Sequence, residues 1–124
     1  MHGRILVVDD EPFILRSLTF VLRKQGLEVI EARDGVEAMA KIRDHRPELV
    51  FLDVMMPRKN GYEVCTEVKG DPELMDTHII MLTAKGQDSD REKGLSIGAD
   101  EYMTKPFSPS KITERVREIL VAKA

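Results

Sequence analysis

The chain has 124 residues, enough for one domain with a single buried core. Its formal net charge is −3 and no basic cluster occurs along it, so direct binding to nucleic acid is not expected. The apolar runs are too short to cross a bilayer, the first residues lack the pattern of a signal peptide, and the single cysteine excludes an internal disulfide, so we expect a cytoplasmic protein.

Short apolar segments alternate with amphipathic ones from the start of the chain. Residues 5–8 form a continuous run rich in β-branched side chains, typical of a strand buried on both faces, and residues 27–31 predict a second, short strand with alternating polarity. Between them, Pro12 suits the first turn of a helix and Gly26 supplies a stop signal. The core-facing residues of that helix are predicted to be Ile14, Leu18, Val21 and Leu22.

The next two predicted helices each begin with a recognisable capping pattern. Asp34 and Glu37 have the spacing of a capping box, and Asn60 and Glu63 repeat that spacing. Between these starts, residues 49–53 form a buried strand that ends on an aspartate. The order of strand followed by helix therefore repeats.

The second half of the chain continues this alternation. Residues 79–83 predict a fourth, buried strand, residues 88–97 a weak helix, and residues 100–104 a short fifth strand. Pro109 begins a last helix whose apolar residues share one face. Five strands alternating with five helices predict one α/β domain over residues 1–124. The expected architecture is a (βα)5 doubly wound, parallel five-stranded sheet in a flavodoxin-like three-layer sandwich.

Acidic side chains follow two of the predicted strands. Asp9 and Asp10 end the first strand, and Asp53 ends the third. In open parallel sheets functional groups gather outside the carboxyl ends of the strands, and the strand order 2-1-3-4-5 would make the first and third strands neighbours. At an effective dielectric constant of about 20, two carboxylates about 4 Å apart repel by roughly 4 kcal/mol. Lys105, which follows the fifth strand, and a hard divalent cation such as Mg²⁺ would offset this repulsion.

This set of residues suits phosphoryl transfer, in which catalysis consists mainly of positioning and charge neutralisation. An aspartate is a competent nucleophile toward phosphorus and forms an acyl phosphate. Thr83, at the end of the fourth strand, could donate a hydrogen bond to one phosphoryl oxygen, and Lys105 could pair with another. Each residue alone has an ordinary structural explanation, such as a helix cap or a turn. Their joint occurrence at the ends of successive strands favours phosphoryl transfer.

Five motifs distributed along the chain carry a family resemblance. They are ILVVDDE (residues 5–11), LDVMMP (52–57), NG (60–61), LTA (82–84) and GADEYMTKPF (98–107). Together they resemble bacterial response-regulator receiver domains over the whole chain, most closely the receivers of winged-helix transcription regulators. The resemblance implies a phosphorylatable signalling module of a two-component system, not an enzyme that turns over a substrate.

The resemblance also implies a role for each residue at the strand ends. Asp53 would be the phosphoacceptor, and Thr83 and Lys105 would assist the transfer of the phosphoryl group to it. The implied ligands of Mg²⁺ are Asp10, Asp53, the backbone carbonyl of Met55 and, through water, Asp9.

Further residues would govern the response to phosphorylation and its duration. Thr83 and Tyr102 match the switch pair of the family, in which the hydroxyl moves toward the phosphoryl group and the ring turns inward. Met55 and Lys85 match positions that tune the lifetime of the phosphorylated form, and we expect slow self-dephosphorylation because methionine cannot orient water. The Lys105–Pro106 peptide bond is expected to be cis.

The implied phosphodonor is a histidine kinase or a phosphotransfer protein, or a small molecule such as acetyl phosphate. In this family the kinase docks on the first helix. The structural alternative for Phe13 and Phe20 is that they pack against the last helix. A phosphorylation-dependent homodimer through the fourth predicted helix, the fifth strand and the last helix is also compatible with the resemblance. Glu101 and Arg115 could form a charge pair in it, although Lys111 departs from that subfamily's pattern. The residues expected to dock the kinase are Phe13, Ile14, Ser17, Phe20, Pro106 and Phe107.

Three alternatives remain open. The chain could be a stand-alone regulator without an output domain, or the receiver of a longer DNA-binding or enzymatic regulator. A Mg²⁺-dependent aspartyl phosphatase is a second alternative, but that chemistry uses another acid two residues after the nucleophile, where this chain has Met55. The third, a degenerate receiver that only binds partners, is disfavoured by the complete set of acids, threonine and lysine.

Overall fold

Strands and helices alternate along the chain in the order that the sequence predicts. The structure is a computed structural model that describes residues 3–84, 93 and 96–123. Its strands are β1 (Arg4–Val8), β2 (Glu28–Ala32), β3 (Leu49–Asp53), β4 (His78–Ala84) and β5 (Glu101–Lys105). Its helices are α1 (Pro12–Arg23), α2 (Gly35–His45), α3 (Gly61–Lys69) and α4 (Pro109–Lys123). The predicted helix at residues 88–97 lies mostly outside the described residues, and α4 is therefore the last helix.

All five strands are parallel and lie side by side in the order β2-β1-β3-β4-β5. The predicted order 2-1-3-4-5 is confirmed. Val8 of β1 pairs with Leu52 of β3, so Asp9, which follows β1, and Asp53, the last residue of β3, lie next to each other. The pairing of β1 with β3 thus joins two acidic segments that are far apart in the chain.

Two hydrophobic clusters, one on each face of the sheet, make the fold a three-layer sandwich. Along β1, Leu6 and Val8 pack into a cluster with α2 and α3, whereas Ile5 and Val7 pack into a cluster with α1 and α4. This alternation follows from strand geometry, in which successive side chains point to opposite faces. Every residue of β3 is buried because the strand has helices on both sides, which explains its uninterrupted apolar sequence.

Strand boundaries differ from the predicted ones by one residue. β2 begins at Glu28 instead of residue 27, and β4 and β5 each extend one residue beyond their predicted ends. Lys105 is therefore the last residue of β5 and does not follow it. Before β5, the Asp100 side chain accepts hydrogen bonds of 2.8 Å from the Ile79 N–H and from Lys69 Nζ. These tertiary contacts keep Asp100 in the preceding turn.

Both predicted capping patterns lie at the start of a helix, but only the second forms a complete capping box. Asn60 and Glu63 form a complete capping box at α3. At α2 the Asp34 side chain accepts from the Glu37 N–H, whereas the Glu37 carboxylate accepts from the Arg33 N–H. Among the residues that the structure describes, no helix has the length and apolar character needed to span a membrane.

The core-facing residues of α1 differ from the predicted set. Ile14 and Val21 are only half-buried, and Leu15 takes the core position expected for Ile14. Because α1 carries apolar residues around most of its circumference, periodicity alone does not define which side faces the sheet. The residues of α1 that are buried are Leu15, Leu18, Thr19 and Leu22.

Candidate functional site

The carboxyl ends of β1 and β3 bring three acidic side chains together. Asp9 and Asp10 follow β1 directly, and Asp53 is the last residue of β3. One carboxylate oxygen of each lies within 4.8 Å of the others. Asp9 is fully buried, Asp53 is 6% exposed and Asp10 is exposed, so the cluster opens to solvent on the side of Asp10. The three carboxylates meet at one edge of the sheet, as the sequence predicts.

Lys105 places its ammonium group between two of these acids. Its Nζ lies 2.7 Å from Asp9 Oδ2 in an ion pair, and it donates a hydrogen bond of 3.3 Å to Asp53 Oδ1. Burial opposes the charged form of Lys105, but the contacts with Asp9 and Asp53 outweigh burial and raise the pKa of Lys105. The lysine is therefore a permanent cation in the cluster. The Lys105–Pro106 peptide bond is cis, as the resemblance implies.

The surroundings of Asp53 strongly raise the pKa of its carboxyl group. Burial, followed by the negative charge of Asp9, raises its pKa from 3.8 to about 7, although Lys105 acts in the opposite direction. At an effective dielectric constant of about 20, one charge pair at about 4 Å is worth roughly 4 kcal/mol, so one lysine offsets only part of the repulsion among three carboxylates. The cluster retains an excess of negative charge.

This excess charge and the donor set fit a hard divalent cation. The three side chains offer only oxygen ligands, and Asp10 keeps the cluster accessible from solvent. Asp9 Oδ1 accepts a hydrogen bond from the Glu11 N–H, whereas Asp9 Oδ2 is buried and its contact with Lys105 lacks hydrogen-bond geometry. Such an oxygen can still accept a hydrogen bond from a metal-bound water. Mg²⁺, which typically binds one or two carboxylates directly and keeps several waters, matches this arrangement.

The start of α3 packs directly on the end of β3. A Cβ atom on residue 61 would lie only 2.3 Å from the carbonyl oxygen of Asp53, so glycine is required at this position. The Gly61 N–H also donates a hydrogen bond of 3.0 Å to the Val54 carbonyl oxygen. The Asn-Gly motif thus caps α3 and lets it approach the strand end that carries Asp53.

Thr83 and Tyr102 lie on adjacent strands beside the acidic cluster. Thr83 is buried in β4 and pairs with Thr104 of β5, two residues after Tyr102. Paired residues share a face of the sheet, as do residues two apart in a strand, so Thr83 and Tyr102 lie on the same face. Tyr102 is half-buried and packs against the cluster formed with α2 and α3. The sheet register is compatible with the predicted switch pair.

Of the two residues predicted to tune phosphoryl lifetime, the structure describes only Met55. Met55 follows β3 and its side chain is 73% exposed. A side chain this exposed does not close the site to water. Lys85 lies outside the described residues.

Two exposed phenylalanines line a groove of about 1230 Å³ between α1 and α4. Phe13 is 76% exposed and Phe20 is 66% exposed, so packing against the last helix does not bury them. Ser17 lies between them in the groove. Of the other predicted docking residues, Pro106 is exposed and Phe107 packs partly against the core beneath α1 and α4. The groove therefore unites only part of the predicted docking set.

The charge pair considered for a dimer interface forms within one chain. Arg115 Nε donates a hydrogen bond of 2.5 Å to Glu101 Oε1, and His78 Nε2 lies 2.6 Å from Glu101 Oε2. Burial alone would raise the pKa of Glu101, but these two partners outweigh it and lower that pKa. Glu101 is thus occupied by residues of β4 and α4 and is not available for a second chain without losing them.

Three cations at the groove are not among the residues predicted from the sequence. Arg16 of α1, Lys24 directly after the end of α1, and Arg117 of α4 line it together with the phenylalanines. Basic residues on amphipathic helices normally form a solvated face, so their sequence positions carry no distinct signal. The spacing of Phe20 and Lys24, four residues apart, is the one local hint, and the Lys24 Nζ does lie 5.6 Å from the centre of the Phe20 ring.

Comparison with known proteins extends over almost the whole chain. A family model described as the response regulator receiver domain matches residues 5–117. The alkaline phosphatase synthesis transcriptional regulatory protein PhoP of Bacillus subtilis is 46% identical over 120 residues, which cover 97% of this chain and 49% of PhoP. Protein PilG of Pseudomonas aeruginosa is 40% identical over 114 residues, which cover 92% of this chain and 84% of PilG.

Solved structures share the fold as well. The chemotaxis response regulator CheY4 of Vibrio cholerae superimposes with a TM-score of 0.88 at 30% sequence identity, covering 96% of this chain and 99% of CheY4. The chain spans about half the length of PhoP and of most other curated relatives that it matches, so those proteins contain a further segment of similar size.

Proposed function

The chain belongs to the response regulator receiver domain family of two-component signalling proteins, and on that premise we propose that Asp53 is its phosphoacceptor. The observation that carries this proposal is the cluster of Asp9, Asp10 and Asp53, whose oxygens lie within 4.8 Å of one another with Lys105 Nζ in contact with two of them. The cluster combines a nucleophile with charge neutralisation, which are the requirements of phosphoryl transfer. We take residues 1–124 as one receiver unit.

In the proposed reaction, a carboxylate oxygen of Asp53 attacks phosphorus in line with the leaving group. The new bond joins this oxygen to phosphorus. The bond from phosphorus to a histidine nitrogen of the donor protein, or to an oxygen of acetyl phosphate, breaks and leaves its electron pair on the departing group. Lys105 would pair with one phosphoryl oxygen and the Thr83 hydroxyl would donate a hydrogen bond to another.

The ionisation of Asp53 sets the condition for this attack. Because its pKa is about 7 in the cluster, only about half of the Asp53 carboxyl groups are ionised at neutral pH when no further cation is present. Mg²⁺, when bound, would neutralise charge on the carboxylates and the phosphoryl oxygens. We propose as its ligands Asp10, Asp53, the backbone carbonyl of Met55 and, through water, Asp9.

Phosphorylation would be transmitted through Thr83 and Tyr102 to the surface around β5 and α4. The shared face of these two residues supports such a coupling. A homodimer through this surface would need contacts other than a pair between Glu101 and Arg115, because that pair is made within the chain. The output would be a change in binding at this surface, without turnover of a substrate. A phosphatase would use a second acid two residues after Asp53, and Met55 at that position argues against one.

The phosphodonor would be a histidine kinase or a phosphotransfer protein that contacts the end of the sheet at Asp53. Phe13, Ser17 and Phe20 support docking on α1, because the two phenylalanines remain exposed beside α4. We further propose that the receiver works in the cytoplasm. Since PhoP is a transcriptional regulatory protein and the chain matches half of it, a receiver within a longer transcription regulator is the second candidate.

The test is chemical labelling of the purified chain. Incubation with acetyl phosphate and Mg²⁺ should add one phosphoryl group per chain, measured by intact mass. The addition should be absent from Asp53→Ala and from wild type in EDTA. Asp44→Ala, which removes an exposed aspartate of α2, is the matched control and should label normally. Labelling of Asp53→Ala, or repeated turnover of acetyl phosphate without a labelled chain, would contradict the proposal.

A further inference from the structure

The loop between β3 and α3 carries one of the proposed magnesium ligands, the backbone carbonyl of Met55. We call this segment, residues 54–60, the ligand loop. Hydrogen bonds fix its inner end: the Val54 N–H donates one of 3.1 Å to the Leu82 carbonyl oxygen, and the Val54 carbonyl oxygen accepts one of 3.0 Å from the Gly61 N–H. The side chain of Met55 is largely exposed, so it does little to hold the loop. The position of its carbonyl therefore depends on contacts made by the rest of the loop.

The outer part of the ligand loop packs on the first residue of α2. That residue is Gly35, and a Cβ atom on it would lie 2.0 Å from the Lys59 carbonyl oxygen and 2.6 Å from the Lys59 Cβ. These distances are far below van der Waals contact, so even alanine would push the loop and the start of α2 apart. Glycine allows the two backbones to touch.

The Asp34 side chain links the same two segments through both of its oxygens. Its Oδ1 accepts a hydrogen bond of 2.8 Å from the Glu37 N–H and so caps α2. Its Oδ2 accepts a hydrogen bond of 3.2 Å from Arg58 of the ligand loop, in an ion pair. One carboxylate therefore connects the start of α2 to the outer part of the loop.

The turn around Arg58 is of a kind that needs such support. The Lys59 N–H donates a hydrogen bond of 2.8 Å to the Pro57 carbonyl oxygen, and Arg58 between them has a φ of 70°. A three-residue turn with positive φ is strained and persists where the surrounding structure holds it. Lys59 Nζ also pairs with Glu67 of α3, so the loop is held between two helices.

We propose that Asp34, Gly35 and Arg58 are positioning residues of the magnesium site. Through them the start of α2 holds the ligand loop, so that the Met55 carbonyl stays where it can bind the ion. The inference rests on the proposed function, in which that carbonyl is a ligand. Mg²⁺ requires nearly octahedral geometry with short bonds, and a backbone carbonyl cannot be redirected without moving its loop. Groups that orient a ligand without touching the ion typically change metal affinity by about 10- to 100-fold when they are replaced.

Titrations of the unphosphorylated chain with MgCl₂ and with CaCl₂, followed by NMR of the backbone amides, would test the inference. Gly35→Ala should weaken Mg²⁺ binding by at least about tenfold. It should weaken Ca²⁺ binding by less than about threefold, because Ca²⁺ tolerates irregular geometry. The matched control is Gly70→Ala, the same substitution directly after the end of α3, which should change neither affinity by more than about twofold. Loss of stability alone would not alter the preference between the two ions.

Arg58→Ala separates positioning from simple electrostatics, and it decides the matter if Gly35→Ala does not fold. Removing a positive charge from a chain that binds a cation would by itself tighten Mg²⁺ binding. Loss of the contact with Asp34 should instead weaken it by about two- to fivefold. The matched control is Arg33→Ala, which removes an exposed cation directly before Asp34 and should leave Mg²⁺ affinity unchanged or slightly higher.

The outcomes distinguish this inference from the function on which it rests. Unchanged Mg²⁺ binding by Gly35→Ala, an equal loss of affinity for both ions, or Mg²⁺ binding by Arg58→Ala as tight as that by Arg33→Ala would overturn the inference. Failure of the wild type to bind Mg²⁺ would overturn it together with the proposed ligand set. If acetyl phosphate does not label Asp53 while Gly35→Ala still lowers the preference for Mg²⁺, the proposed phosphoacceptor is wrong and the positioning role stands. If labelling succeeds and both substitutions leave Mg²⁺ binding unchanged, only the positioning role is wrong.

Discussion

Replacing Asp53 by asparagine should stabilise the metal-free protein. The substitution keeps the size of the side chain and removes its charge from a cluster that holds two other carboxylates. In the folded protein the pKa of Asp53 is raised from 3.8 to about 7, first by burial and then by Asp9. Between these two values the native state binds more protons than the unfolded state, so the free energy of unfolding of the wild type falls as pH rises.

The size of the expected gain in stability follows from the folded and unfolded pKa values of Asp53. A difference of one in pKa corresponds to about 1.36 kcal/mol, so full ionisation of Asp53 in the native state costs about 4 kcal/mol. Because neighbouring groups relax, we expect Asp53→Asn to raise the free energy of unfolding by about 2–4 kcal/mol at pH 8. The gain should decline through the range from pH 7 to pH 4 and vanish below pH 4, where both the native and the unfolded wild type are protonated.

Urea denaturation in EDTA, followed by circular dichroism, measures the free energy of unfolding of the wild type and of Asp53→Asn at pH 8 and at pH 4. A true stability change moves the midpoint and leaves the slope unchanged. Asp10→Asn is the matched control: Asp10 belongs to the same cluster but is exposed, so its gain should be below about 1 kcal/mol. Saturating Mg²⁺ should reduce the gain of Asp53→Asn, since the ligand stabilises the wild type more. An equal gain at both pH values, or an equal gain for Asp10→Asn, would refute the electrostatic account.

Two other substitutions test the surroundings of Asp53. Gly61→Ala should lower the free energy of unfolding by about 2 kcal/mol or more, because its Cβ would lie 2.3 Å from the Asp53 carbonyl oxygen. Gly70→Ala, whose Cβ has no neighbour closer than 3.1 Å, should cost less than about 1 kcal/mol, and equal urea midpoints for the two variants would contradict the close packing. Met55→Asn should shorten the lifetime of the phosphorylated chain at least about twofold, since an amide can orient the attacking water. Decay followed by intact mass checks this, and an unchanged rate would remove Met55 from the residues that govern lifetime.

Much of the acidic cluster could be predicted because it is built from strand ends. A buried strand is recognised from a few consecutive residues, and Asp9, Asp10 and Asp53 each adjoin one. Parallel strands place their carboxyl ends at the same edge, so the strand order is enough to bring the acids together. Lys105 is likewise predicted to lie near the cluster, but in the loop after β5, whereas it is the last residue of that strand.

Local periodicity predicts the alternation of strands and helices, the parallel sheet that follows from it, and the residues at which the strands end. The folded structure was needed to show that Leu15, not Ile14, faces the core, that Glu101 pairs with Arg115 of its own chain, and that burial and Asp9 raise the pKa of Asp53 to about 7. The groove between α1 and α4 is also tertiary, since its margins come from opposite ends of the chain. These features depend on distances between side chains that are remote in sequence, which periodicity and capping patterns do not contain.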